Sequence, residues 1–282
     1  MTVAIMVKVF DGVVLAADSA TTLGLANGSA QVWNNANKIF HLHRTKPIGA
    51  MTWGIGNVGD ASIATLAKDL RRRFMGGDPN FDTWELPADY TMEWVTERLV
   101  DMIFDELYAP AFPGAGVGAA PLLGFLVAGF SCDGKQSEVW RIEFNDATSR
   151  PQPRLEADKD QSGWAAYAQP QAALRLLRGH DPALPTELAA VVPPANMPAV
   201  LQVLERLNRD VVAPSMPFAD AIALARYLVD VTVGYSRAQF GPDTVGGPIE
   251  VAGISRHEGF KWISRKHYYT AELNPGDPHH DY

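Results

Sequence analysis

The chain has 282 residues, 47% of them hydrophobic and 20% charged, with a formal net charge of -8. This is the composition of a globular protein able to bury a substantial core, and its acidic balance speaks against a general binder of nucleic-acid phosphates. A single cysteine, Cys132, excludes an intramolecular disulfide and fits a reducing compartment.

The predicted elements begin directly behind Met1. Alternating and continuous apolar runs predict strands over 2–10, 13–17, 38–42 and 48–53, with turn chemistry at Asp11-Gly12 and Lys46-Pro47. Residues 21–37 read as a polar loop. A helix follows over about 60–74, where Ile63, Leu66, Ala67 and Leu70 form an apolar stripe, and Gly76-Gly77-Asp78-Pro79 stops it. The run Arg71-Arg72-Arg73 closes that helix as a solvated or partner-facing end. A second helix spans about 91–108, and residues 109–121 read as an ordered Pro/Gly/Ala loop. A hairpin over 122–130 and 137–144 turns at Cys132-Asp133-Gly134-Lys135, which makes Cys132 a turn residue and not a catalytic thiol.

Residues 145–162 read as polar and irregular. Helices are predicted at 170–177, 185–191, 198–208 and 218–235, then a hairpin over 248–255 and 260–264, then a polar tail over 274–282. No segment is poor enough in apolar residues to be a domain linker, so 1–282 reads as a single domain. The order of elements (strands, two helices, strands, helices, strands) predicts an α+β fold. It is satisfied by a four-layer αββα sandwich of two antiparallel sheets with helices on both outer faces. The N-terminus has no basic stretch ahead of an apolar one, and the longest apolar run, 121–130, is far below the roughly 20 residues of a membrane span. The expectation is a cytoplasmic protein that contacts neither membrane nor nucleic acid.

Thr2 is the residue on which the chemistry turns. Were Met1 removed, its hydroxyl would be a nucleophile and its free α-amine a base within one residue. Threonine is small enough for ordinary methionine removal, so the bond between Met1 and Thr2 is expected to be cut. The Asp11-Gly12 turn brings the second strand, which ends at Asp18, back beside the first. Lys38 opens the third strand, and a lysine beside a buried nucleophile stabilises oxyanionic charge, with Asp18 a candidate to hold it. Taken singly, each is an ordinary strand-end charge.

The string Thr2-Val-Ala-Ile, then Gly12-Val-Val-Leu-Ala-Ala-Asp18-Ser19, resembles the N-terminus of mature proteasome β subunits and of their bacterial relatives. Asn37-Lys38-Ile39-Phe40 resembles the lysine-bearing strand of that family, behind a slightly longer loop. Residues 48–52 resemble the apolar strand that leads to the first helix. Ser162-Gly163-Trp164-Ala-Ala-Tyr167-Ala168-Gln169 resembles the turn before the third helix, and Gly246-Gly247-Pro248-Ile249-Glu250-Val251 the entry to a late strand. The matches fall in order along nearly the whole chain, and a free-standing bacterial homologue, such as the β-proteobacterial one, fits better than a eukaryotic subunit.

The resemblance implies an N-terminal-nucleophile hydrolase fold and a threonine peptidase that hydrolyses peptides or unfolded proteins inside stacked homo-oligomeric rings. Those rings would be heptameric, paired as a double ring, with an unfoldase or adaptor as a further partner. It implies no cofactor and no metal. Thr2 would be nucleophile and base, Asp18 and Lys38 would orient and activate it, and Ser162 with the Gly163 amide would assist proton shuttling. The oxyanion donor would be a backbone N–H near Trp53 or Gly54, and Thr22 and Met51 would line the peptide groove. The family places an Asp and a Ser just before the late Gly-Gly; here Asp243 is a shifted partner and Ser236 another. Extra length lies near 109–121 and 180–214 and in the tail.

Other readings compete. The run Gly54-Ile-Gly56-Asn-Val-Gly59 has the G-x-G-x-x-G form of a dinucleotide cradle, but the acidic strand end expected ~20 residues on is missing. His41, His43, His279 and His280 lack further ligands at metal-binding spacing and read as surface histidines. A catalytically silent ring-forming subunit, or a small-amide hydrolase on the same fold, would preserve the sequence features with a different activity.

Overall fold

The computed structural model describes residues 2–24, 30–76, 84–240 and 244–266, with the backbone alone at 22–24 and 30. The expected tail, 274–282, lies outside the described residues, as do Met1 and Asp243. The chain opens with strands β1 (Val3–Val9), β2 (Gly12–Ala17), β3 (Thr21–Gly24), β4 (Ala30–Trp33), β5 (Ile39–His41), β6 (Ile48–Gly54), β7 (Asn57–Val58) and β8 (Ala61–Ser62). Helices α1 (Ile63–Phe74) and α2 (Met92–Val100) follow; α2 continues as a π-helical stretch, Asp101–Tyr108, into α3 (Ala109–Ala111). Then come β9 (Leu123–Gly129), β10 (Glu138–Phe144), β11 (Arg154–Ala157) and β12 (Gly163–Ala168). Helices α4 (Gln171–Arg178), α5 (Leu184–Ala189), α6 (Met197–Leu207) and α7 (Phe218–Arg237) precede the last hairpin, β13 (Glu250–Ser255) and β14 (Gly259–Ser264).

Two five-stranded antiparallel sheets result, with strand orders β12-β1-β2-β13-β14 and β11-β10-β9-β6-β5. β1 shows how the sequence sets the packing. Its residues are apolar on both faces apart from Lys8, and alternate side chains enter different cores. Ala4 and Met6 pack with Leu15, Met51, Trp53 and Leu126 in a core that draws on both sheets. Val3, Ile5, Val7 and Val9 pack instead with Leu177 of α4 and Ala225, Leu228 and Val229 of α7. A third core joins Ile48, Ala50, Phe125 and Phe144 of the second sheet to Leu66 and Leu70 of α1 and Val95 and Leu99 of α2.

The predicted helices and hairpins recur with shifted ends. α1 starts at Ile63, where the Ser62 side chain accepts the Thr65 N–H, because residues 57–62 first form the β7–β8 hairpin. That hairpin separates Gly59 from the helix, so the glycine run lacks the loop-to-helix geometry of a phosphate cradle. Several strands were not expected: β3 and β4 form a hairpin in the stretch read as a polar loop, and β7 and β8 a second one ahead of α1. β11 lies in the stretch read as irregular, and β12 replaces the turn expected at 162–169.

The histidines also depart from expectation. His43 is buried, and its Nδ1 accepts the Thr45 N–H at 3.2 Å. His41 stacks on Phe260 with centroids 4.3 Å apart, joining β5 of one sheet to β14 of the other. Burial holds both well below the ordinary imidazole value, to about 4, in His41 against a hydrogen bond to the Lys46 carbonyl. The unfolded chain therefore takes up these protons near pH 6.5 and the folded chain only near pH 4, so stability falls as pH drops through that window. The urea midpoint is expected to decline between pH 7 and pH 4, and His43→Gln to remove about 1 kcal/mol of that decline after solvent screening. Equal declines in the two proteins would contradict a neutral buried His43.

Candidate active site

Thr2 immediately precedes β1 and is only 3% exposed. Antiparallel pairing sets Ala4 opposite Ala17, so the residue after β2, Asp18, reaches the start of β1. Its fully buried carboxylate accepts the Val3 N–H on Oδ1 at 3.0 Å, and on Oδ2 the N–H groups of Ala20 at 3.0 Å and Gly246 at 2.9 Å. Lys38, just ahead of β5, completes the set by donating from Nζ to Asp18 Oδ1 at 2.6 Å. Four chain segments thus converge on one carboxylate. Gly247 follows with φ +75°, and a Cβ there would lie 2.4 Å from the Asn34 carbonyl oxygen, which explains the Gly-Gly at this corner.

Burial pushes the Lys38 ammonium down from its ordinary value to about 8, against the opposing pull of the Asp18 carboxylate. Lys38 and Thr2 line the same cavity, of about 230 Å³, with Thr21, Asn35, Thr52, Trp53, Gly54 and apolar residues that include Ile55, Ile63 and Ala64. Lys38 carries the only formal charge among those lining residues.

The far wall of the cavity comes from the end of β6. The Thr52 N–H donates to the Lys38 carbonyl at 2.9 Å, and the Ile55 N–H donates to the Leu122 carbonyl at 2.9 Å on the opposite side. By strand alternation the Gly54 N–H turns to the Lys38 side, where β5 no longer runs alongside. Gly54 has φ +97°, and a Cβ would stand 2.1 Å from the Leu122 carbonyl oxygen, so only glycine ends β6 this way. The Gly54 amide thus points, by that alternation, toward the side of the cavity that Thr2 and Lys38 line.

Other expected site residues lie elsewhere. Ser162 and Gly163 stand at the wrong end of β12. Gly163 pairs with Lys8 and Ala168 with Val3, which puts ~17 Å of strand between Gly163 and the level of Thr2. They do not join the site, because the segment read as a turn is a strand running the length of β1. Met51 is also displaced: it is fully buried in the core shared by the sheets, on the same face of β6 as Trp53. Thr52, one residue on, is among the residues lining the cavity, and its Oγ1 donates to the Gly124 carbonyl at 2.9 Å. The Trp53 ring stacks on Tyr167 at 4.5 Å in that core. Thr22 has its backbone in β3, paired with Val32. Ser236 is buried in the last turn of α7.

The place expected for Ser162 is taken by residues the sequence reading passed over. The Gln169 N–H donates to the Thr2 carbonyl at 3.0 Å, and Gln169 Nε2 donates to Thr244 Oγ1 at 2.9 Å. Ala168, opposite Val3, has φ +67°, an uncommon backbone state for a residue other than glycine and one that gathers at functional sites. The signal that finds them is the strand character of Gly-Trp-Ala-Ala-Tyr-Ala, whose antiparallel pairing carries residue 169 to Thr2.

Among the described residues no group of three or more His, Cys, Asp or Glu is placed to hold a metal ion, and no helix is long and apolar enough to cross a membrane. No family model matches the chain, and no curated protein matches it.

Proposed function

We propose that the chain is an N-terminal threonine hydrolase that cleaves peptide bonds, on the four-layer αββα sandwich of N-terminal-nucleophile hydrolases. One observation carries the reading: the buried Asp18–Lys38 pair bonds to the amide of the residue after Thr2, and Thr2 and Lys38 line one cavity. The helix pair, sheet, sheet, helix pair order of the cores agrees with the fold.

In this reading, removal of Met1 leaves Thr2 with a free α-amine, a group that titrates near ~7.7–8.0. The neutral amine takes the hydroxyl proton as Thr2 Oγ attacks the substrate carbonyl carbon. The carbonyl π electrons move to oxygen, and the oxyanion accepts the Gly54 N–H while the Lys38 ammonium stabilises the developing charge. Collapse breaks the C–N bond, and the α-ammonium returns the proton to the departing amine. Water then attacks the ester on Thr2, with the α-amine again as base, and releases the acid. The apolar lining of Ile55, Ile63 and Ala64 suits an uncharged side chain beside the scissile bond.

Intact mass and a fluorogenic peptide panel test this. The mature chain is expected to begin at Thr2, and Thr2→Ala to lower hydrolysis by about 10³-fold or more. A native mass measurement tests assembly into rings. A chain that keeps Met1 and hydrolyses nothing would favour a silent ring-forming subunit. Activity confined to small amides would favour the other alternative, and full peptidase activity in Thr2→Ala would remove Thr2 as nucleophile.

A further inference from the structure

A second buried ion pair stands behind the first. Glu250 opens β13 opposite Ala17 and is 1% exposed. Its Oε2 accepts the main-chain N–H of Lys38 at 3.4 Å and lies 3.6 Å from Nζ of Lys266, two residues beyond β14. Lys266 Nζ donates to Ser19 Oγ at 2.7 Å and to the Ala36 carbonyl. Ser19 Oγ in turn donates to the Pro248 carbonyl, and the Ser19 carbonyl accepts the Ala36 N–H at 3.0 Å. Lys266 therefore fastens the residue after Asp18 to the segment that enters Lys38.

A buried ion pair of this kind is a poor source of stability, since two apolar residues of similar shape generally do as well or better. Its position suggests another use. Asp18, Lys38, Glu250 and Lys266 alternate in sign and sum to zero. On the outer side, Glu250 faces a cavity of about 30 Å³ whose charged or titratable lining is His41 of β5, Lys68 and Arg71 of α1, and Arg265. These four, with the network itself, are the groups that face Glu250 from the packed elements.

We propose that Glu250 and Lys266 are positioning residues that hold the Lys38 segment against Asp18 and bias the protonation of the Lys38 side chain. As a statement about catalysis this rests on the Thr2 reading above. The signs follow from charge alone: the Lys266 ammonium disfavours a proton on Lys38, and the Glu250 carboxylate favours one. Burial pushes Glu250 up and Lys266 down, and in each the charge of the other opposes the shift.

The test compares Lys266→Met, Glu250→Gln and the double variant with the parent protein. If charged Lys38 is the active form, the alkaline limb of kcat/KM reports its deprotonation. Lys266→Met is expected to move that limb up by about half a pH unit or more, Glu250→Gln to move it down by a similar amount, and the double variant to bring it back toward the parent. Lys266→Arg, which keeps the charge, is expected to leave it in place. Glu250→Gln keeps an acceptor for the Lys38 N–H and is the single variant expected to fold best.

A readout without catalysis is the Lys38 titration followed by NMR of protein labelled at lysine 13Cε, assigned with Lys38→Arg. Opposite shifts in the two single variants support the proposal. Shifts of the same sign, or loss of activity with an unmoved Lys38 titration, overturn it. Opposite NMR shifts in a protein with no Thr2-dependent hydrolysis would sustain the charge coupling and remove the peptidase reading.

Discussion

Lys38→Met is expected to lower Thr2-dependent hydrolysis by about 10²–10³-fold while the protein still folds. Methionine fills the space of the lysine stem but removes the charge from the cavity that Thr2 lines. Asp18 remains buried after that change, yet it keeps the three backbone N–H donors of Val3, Ala20 and Gly246. Its charge is thus still solvated by the protein, and the folding cost should stay under about 2 kcal/mol, below that of stripping a buried charge of all partners. Steady-state kinetics and a urea melt on the same preparation check both halves. An activity within threefold of the parent would show that the ammonium has no part in the chemistry.

The converse change, Asp18→Ala, is expected to act on the fold first. It strands three amides and a buried ammonium together, and the expected loss is about 3–5 kcal/mol of unfolding free energy. The contrast between the variants is the sharper measurement. If Lys38→Met destabilises as much as Asp18→Ala, the ion pair itself holds this corner and the backbone donors contribute little. If Asp18→Ala unfolds more readily by at least about 1.5 kcal/mol, the carboxylate acts chiefly as a clamp on main-chain amides, and the lysine is held there for its charge.

Much of the fold was legible because its signals are local. The Asp11-Gly12 turn between apolar runs forces β1 against β2 and so carries Asp18 to the start of β1. The long apolar stripes of α1, α2 and α7 announce helices, and the last hairpin is spelled out by its turn. β12 was missed for a physical reason. Four of its six residues are intermediate in exposure, it is half alanine, and its strand state depends on pairing with β1 over 150 residues away. That error moved Ser162 into the site and hid Gln169. Met51 was misplaced because its burial comes from packing between the sheets against residues such as Leu15 and Leu126, which lie far from it in sequence. Lys266 and Glu250 could not be read at all, since nothing in the local sequence of either predicts the other.

The hydrogen bonds of the Asp18 carboxylate to main-chain amides cross 15, 2 and 228 residues of sequence, and Lys266 reaches Ser19 across 247. Such separations mean that the first strand waits for nearly the last before its end is fixed. A chain emerging from the ribosome completes Thr2's surroundings only when residues 246 to 266 are free to dock, long after β1 and β2 have been made. Under the peptidase reading proposed above, that order of synthesis would itself act as a safeguard, because the surroundings of Thr2 close only once residues 246–266 have docked.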